Sequence, residues 1–186
     1  MKYWVDQNTG LAHGARFVPS PNCDDRPADV TVDALVIHSI SLPPGEFGGP
    51  YVEQLFCNDL DVAHHAYFQE ICQMRVSAHF FISRDGDLVQ FVPVHKRAWH
   101  AGQSECLGRT NVNDFSVGIE LEGTDHTGFD DAQYATLVEV SRHLMRAFPD
   151  IAVDHVFGHS DVAPGRKTDP GPGFDWARYR RALAEV

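Results

Sequence analysis

The chain has 186 residues, 43% hydrophobic and 22% charged, a balance that fits one globular domain with a sizeable core and argues against disorder. Its net charge of -11, from 26 acidic and 15 basic residues, disfavours a nucleic-acid partner, which requires a basic surface. The N-terminus lacks the apolar stretch and cleavage site of a secretory signal, and no run is apolar enough to span a membrane.

The first stretch, to about residue 29, is rich in Pro, Asn and Asp and is expected to wrap the surface. Ala34 to Ile40 is a short apolar run with β-branched residues, which predicts a buried strand. The Pro and Gly residues of Leu42 to Pro50 demand a loop. Tyr51 to Phe56 is read as a short helix and Asp61 to Ile71 as another. Val76 to Ser83 and Asp87 to Val92 flank Arg84-Asp85-Gly86, and Asp-Gly between two β-rich runs signals a hairpin. Phe115 to Glu122 alternates in part and stops at Gly123, so it is a further strand. Asp130 with Gln133 three positions on has the pattern of a capping box. Tyr134, Leu137, Val138, Ser141, Leu144, Met145 and Phe148 then follow helical spacing up to Pro149. Asp175 caps a last helix striped by Trp176, Tyr179 and Leu183. Interleaved strands and helices with one antiparallel hairpin predict the α/β class: a mixed central β-sheet flanked by helices.

The segment from Gly158 to Pro170 concentrates the chemistry. It places His159 and Asp169 ten positions apart with Lys167 between them. Imidazole and carboxylate are both zinc ligands, and a lysine can stabilise developing negative charge. His38, at the end of a predicted strand, is the candidate third ligand, which would leave one zinc position open, as catalytic sites do. Each residue also has a plainer reading: His38 and His159 as satisfied core histidines, Asp169 as a turn cap before Pro170. Glu120 and Glu122 share one face of their strand. That face is either the solvated side of an edge strand or the source of a general base, and periodicity does not choose between them. His64 and His65 are adjacent and make a poor chelate. His79 reads as buried and hydrogen-bonded. His100 is harder to dismiss, and Trp99 beside it is a cleft wall or core. Gly-x-Ser-x-Gly is absent, and Cys23, Cys57, Cys72 and Cys106 form no close pair, so free thiols in a reducing compartment are expected.

Several motifs, in order, resemble a known family. They are Val76-Ser77-Ala78-His79-Phe80, Arg84-Asp85-Gly86, Arg97-Ala98-Trp99-His100-Ala101-Gly102 and Asn113 through Thr124. Together they are similar to the zinc-dependent N-acetylmuramoyl-L-alanine amidases, a superfamily shared with T7-type phage lysozymes and peptidoglycan recognition proteins. Ile40 through Gly49 and Arg166 through Pro172 look like its AmpD branch, the cytoplasmic 1,6-anhydro-N-acetylmuramyl-L-alanine amidases of peptidoglycan recycling. The resemblance runs from about Arg16 to Arg180.

That resemblance implies His38, His159 and Asp169 as zinc ligands, Glu120 as catalytic acid/base and Lys167 as the partner of the reacting carbonyl oxygen. It also implies Ser39, Tyr67, Arg75 and Trp99 as substrate contacts. Two positions depart from it: Ser39 stands where the branch commonly has Asn, and Asn111 where some relatives have Arg. The expectation is a monomeric, cytoplasmic zinc enzyme acting on anhydro-muropeptides, with one domain over residues 1-186 and its motif-bearing core at about 30-180. No nucleic-acid or membrane partner is expected. An autolysin acting on intact peptidoglycan and a non-catalytic peptidoglycan-binding module are the alternatives.

Overall fold

Six strands form the central sheet of the computed structural model, which describes residues 2–185. They are β1 (Arg16–Phe17), β2 (Ala34–Ile40), β3 (Phe80–Ile82), β4 (Leu88–Gln90), β5 (Ser116–Glu122) and β6 (Val156–Gly158). The spatial order is β6-β2-β5-β3-β4-β1. β6, β2, β5 and β3 run parallel, β4 returns antiparallel to β3, and β1 runs parallel to β4. The β3–β4 reversal is the hairpin that Asp85-Gly86 predicts. Gly86 has φ +79°, and a Cβ there would lie 2.7 Å from the Ala132 carbonyl oxygen, so the turn needs glycine on two counts. This is the mixed sheet expected from the sequence.

The two longest strands, β2 and β5, lie side by side in the middle. Their alternation sends Leu35, Ile37, Val117, Ile119 and Leu121 to one face. There they meet Tyr134, Leu137, Val140 and Leu144 of helix Asp131–Ala147, and Tyr179 and Leu183 of helix Trp176–Ala184. Each such fully buried apolar side chain contributes about 1.5–3 kcal/mol. Both helices start as the sequence predicts. The Gln133 side chain accepts from the Asp130 backbone N–H at 3.1 Å, and Asp175 Oδ1 accepts from the Arg178 N–H at 2.9 Å.

The opposite face carries the polar chemistry between two smaller apolar clusters. One joins Ala34 and Val36 to Ala101, Val112, Phe115 and Val162. The other packs Val52, Leu55 and Phe56 of helix Tyr51–Phe56, with Phe68 and Ile71 of helix Phe68–Ile71, over Val89 and Phe91. Among the described residues no helix is long and apolar enough to cross a membrane. The four cysteines are free thiols.

Four expectations need correction. The N-terminal stretch does more than wrap the surface: it supplies the edge strand β1, buries Tyr3 and Val5, and sends Arg26 beneath the β5 strand, where its guanidinium donates to the Ser116 and Asp114 carbonyls at 2.8 and 2.9 Å. Paired backbone at a sheet edge tolerates a composition that looks like loop. The helix expected over Asp61 to Ile71 is only Phe68–Ile71. Asp61 and His65 cap local turns instead, accepting from the N–H groups of Ala63 and Tyr67 at 2.9 and 3.1 Å, and such bonds compete with helix. His38 lies within β2, not at its end, since Ser39 and Ile40 continue the strand. Finally, β5 is central and buried along its whole length, so Glu120 and Glu122 do not lie on the solvated face of an edge strand.

Candidate active site

Strand register sets the first relationship of the site. His38 on β2 and Glu120 on β5 are direct partners across the parallel ladder, so their side chains leave the sheet on the same face. His159 enters from the C-terminal end of β6, as the first residue of the short helix His159–Val162. The turn that follows doubles back, and the Ser160 N–H donates to the Asp169 carbonyl at 2.9 Å, which returns Asp169 beside His159. Three segments far apart in sequence therefore converge toward the C-terminal ends of parallel strands, the end at which open α/β sheets place their sites.

The convergence is tight. His38 Nδ1 lies 2.9 Å from His159 Nδ1 and 3.3 Å from Asp169 Oδ2, and His159 Nδ1 lies 3.1 Å from the same carboxylate oxygen. His159 Nε2 faces the Ala101 carbonyl at 3.2 Å, an oxygen that can only accept. A ring proton of His159 therefore sits on Nε2, and its Nδ1 faces Asp169. Burial holds His38 down at about 4, although the neighbouring Asp169 carboxylate favours its protonated form, so at neutral pH it is the uncharged imidazole that binds metals. Two imidazoles and a carboxylate, with their ligand atoms within 4.8 Å of one another, match the nitrogen and oxygen donors of a three-ligand zinc site.

Glu120 stands beside this cluster, with Oε1 3.9 Å from His38 Nδ1. Its Oε2 is buried and has no hydrogen-bond partner among the described residues. Burial, reinforced by the Asp169 charge, pushes this carboxyl well above the usual range, while Lys167 pulls it back. A carboxyl whose proton is held more tightly than usual is suited to general acid–base chemistry. Glu122 is different: it accepts from the Gly48 and Arg84 backbone N–H groups at 2.5 and 3.0 Å and so is committed to structure.

Part of this cluster lines a cavity of about 310 Å³. Glu120, His159, Lys167 and Asp169 form its polar floor, with Ser39 and Tyr67 also on the wall. Leu42, Ile71, Met74 and Val76 make an apolar side that the sequence reading missed. They come from two separate stretches, around residue 42 and over residues 71–76, and nothing local to either marks them as one wall. Arg75 and Trp99 are not part of the lining. Arg75 donates to the Cys72 and Met74 carbonyls at 3.3 and 3.1 Å, and the Trp99 indole donates to Asp24 at 3.1 Å. Asn111 lies apart too, at φ 58° in the left-handed region that Asn tolerates. A larger hollow of about 790 Å³ borders Arg16 and Arg84. Its cations are already paired, Arg16 with Glu53 at 2.6 Å and Arg84 with Asp130 at 2.7 Å.

The remaining histidines divide as the sequence suggested. His64 and His65 are exposed. His79 is buried: its Nδ1 accepts from the Gly118 N–H at 3.0 Å, and its Nε2 faces the Lys96 carbonyl at 3.0 Å. His100 stands against His38, with its Nδ1 3.0 Å from His38 Nε2, and it also borders the cavity.

A mixed α/β sheet carrying a His-His-Asp cluster and a buried acid toward its strand ends has the donor set and the acid that a hydrolytic site uses. The family described as N-acetylmuramoyl-L-alanine amidase matches residues 28–172, and the chain belongs to that family. Within it the chain is of the AmpD type. It is 59% identical over 171 residues to the 1,6-anhydro-N-acetylmuramyl-L-alanine amidase AmpD of Escherichia coli (strain K12), a match covering 92% of this chain and 93% of that one. The crystal structure of a Se-Met AmpD derivative superposes with a TM-score of 0.92 at 52% identity, covering 96% of this chain and 98% of the other. AmpDh3 of Pseudomonas aeruginosa in complex with anhydromuramic pentapeptide is similar at 29% identity and TM-score 0.59, over 81% of this chain and 59% of that chain.

Proposed function

We propose that this amidase hydrolyses the amide between 1,6-anhydro-N-acetylmuramic acid and the L-alanine of the stem peptide, with zinc held by His38, His159 and Asp169. The observation that carries the reading is the convergence of three ligand atoms beside the unpartnered Glu120 oxygen. Similarity to proteins named for this substrate supports the bond assigned.

Zinc in that position supplies Lewis acidity to the reacting carbonyl and lowers the pKa of water. Glu120 takes a proton from the attacking water and later delivers it to the nitrogen of the leaving L-alanine amine. Lys167 sets its ammonium against the negative charge that gathers on the carbonyl oxygen. The products are the free lactyl carboxylate and the free peptide amine, which balances one water against one amide bond. Ser39 and Tyr67 contact the substrate from the cavity wall, and Arg75 and Trp99 act outside that wall. The enzyme works as a monomer in the cytoplasm, in peptidoglycan recycling, through one domain spanning residues 1-186.

The test compares product release by mass spectrometry from anhydro-muropeptides and from intact peptidoglycan, with and without chelator. Release of stem peptide from the anhydro substrate, lost in chelator and restored by zinc, is the expected result. Equal activity in chelator removes the metal. Faster release from intact wall makes the protein an autolysin, and binding without hydrolysis makes it a recognition module.

A further inference from the structure

One short segment, His100-Ala101, touches both imidazoles of the cluster. The Ala101 carbonyl faces His159 Nε2 at 3.2 Å, and His100 Nδ1 faces His38 Nε2 at 3.0 Å. The segment is itself held in place, since Asn113 Oδ1 accepts from the N–H groups of His100 and Ala101 at 3.2 and 2.8 Å.

Donor and acceptor roles along this chain of contacts follow by elimination. The Ser116 hydroxyl has one proton. It gives that proton to the Val112 carbonyl, 2.6 Å away, because a carbonyl can only accept. Ser116 Oγ must then accept from His100 Nε2, at 3.2 Å. With its proton on Nε2, neutral His100 presents a bare Nδ1, which can only accept. The 3.0 Å contact is therefore made by His38 Nε2–H donating to His100 Nδ1. His38 is left with a bare Nδ1, the atom that points at His159 and Asp169.

We infer that His100 is a positioning residue: anchored by Ser116, it fixes the tautomer and ring orientation of His38, while the adjacent Ala101 carbonyl does the same for His159. A ligand imidazole needs its lone pair toward the metal, and the hydrogen bond at its other nitrogen decides which nitrogen that is. The inference rests on the zinc reading above, and it adds that both ligands are set by one segment. Gly118 belongs to the same device. A Cβ at Gly118 would lie 2.4 Å from His100 Cγ, so the imidazole occupies the space that a side chain on β5 would fill.

The test uses the full chain with nitrogen-15 labelled histidine. In the metal-free wild type, long-range proton–nitrogen correlation should show His38 and His159 each carrying a proton at Nε2. His100→Leu should turn His38 into a mixture of tautomers, leave His159 unchanged, and weaken zinc binding about 10- to 100-fold in competition with a chelator. His100→Asn keeps an acceptor near the Nδ1 position and should recover most of the affinity. Should His100→Leu fail to fold, Ser116→Ala tests the same relay by freeing the His100 proton, and it too should loosen the His38 tautomer. A wild-type His38 tautomer and zinc affinity in the variants overturns the inference. Failure of the wild type to bind zinc overturns the metal reading instead, and the tautomer measurement on metal-free protein still decides the role of His100.

Discussion

Glu120 and His38 are register partners on adjacent parallel strands, and Glu120 Oε1 lies 3.9 Å from His38 Nδ1. The backbone ladder of the sheet therefore sets the spacing between the proposed proton carrier and a proposed metal ligand. Neither side chain can leave without disturbing the core around it.

Glu120→Gln keeps the shape and removes the proton exchange. Turnover should fall about 100- to 10,000-fold, while zinc content by mass spectrometry stays at the wild-type level. Stability should move the other way. Burial, then the Asp169 charge, raises the Glu120 carboxyl in the folded state, so wild-type stability falls as pH rises through that raised value. Metal-free Glu120→Gln should therefore resist urea better than metal-free wild type at neutral pH, and the gap should close in acid.

Lys167→Met removes the cation that, among the described residues, pulls the Glu120 carboxyl down. The turnover number should drop about 100- to 1,000-fold. The acid limb of the rate profile should also shift to higher pH, because Glu120 then holds its proton more tightly. An unmoved limb separates Lys167 from Glu120.

Gly118→Ala should act at a distance through His100. The added methyl meets the imidazole at 2.4 Å, and overpacking of this kind costs about 1–3 kcal/mol. Thermal unfolding gives the stability loss, and chelator competition should show zinc binding weakened alongside it.

His79 gives the fold a pH dependence of its own. Burial, then the neighbouring Arg26, holds its imidazole at about 3 rather than 6.5. The unfolded chain takes up that proton at higher pH than the folded one. The stability is therefore intact above about pH 6.5 and lost as pH falls toward about 3. Urea midpoints of metal-free protein should fall across this window. The fall should be smaller in His79→Gln, though not absent, since His38 at about 4 titrates in the same range.

Much of this was legible in the chain. Periodicity and punctuation identify the Ala34–Ile40 strand, the Asp85-Gly86 hairpin and the two capped helices, because each is specified by neighbours in sequence. The motifs that resemble the amidases name His38, Glu120, His159, Lys167 and Asp169. The segment after Cys57 misled, because Asp61 and His65 satisfy their own backbone in turns where a helix was expected.

The sequence by itself determined the residue types of the site and the local elements that carry them, since both are encoded over a few consecutive positions. Only the tertiary structure decided how they meet. Parallel register aligns Glu120 with His38 and separates it from Glu122, which two backbone N–H groups occupy. Alternation along one strand cannot distinguish these two carboxylates, because both leave the same face. The role of His100 is decided the same way: its contacts with His38, Ser116 and the space over Gly118 exist only once three separate segments are packed together.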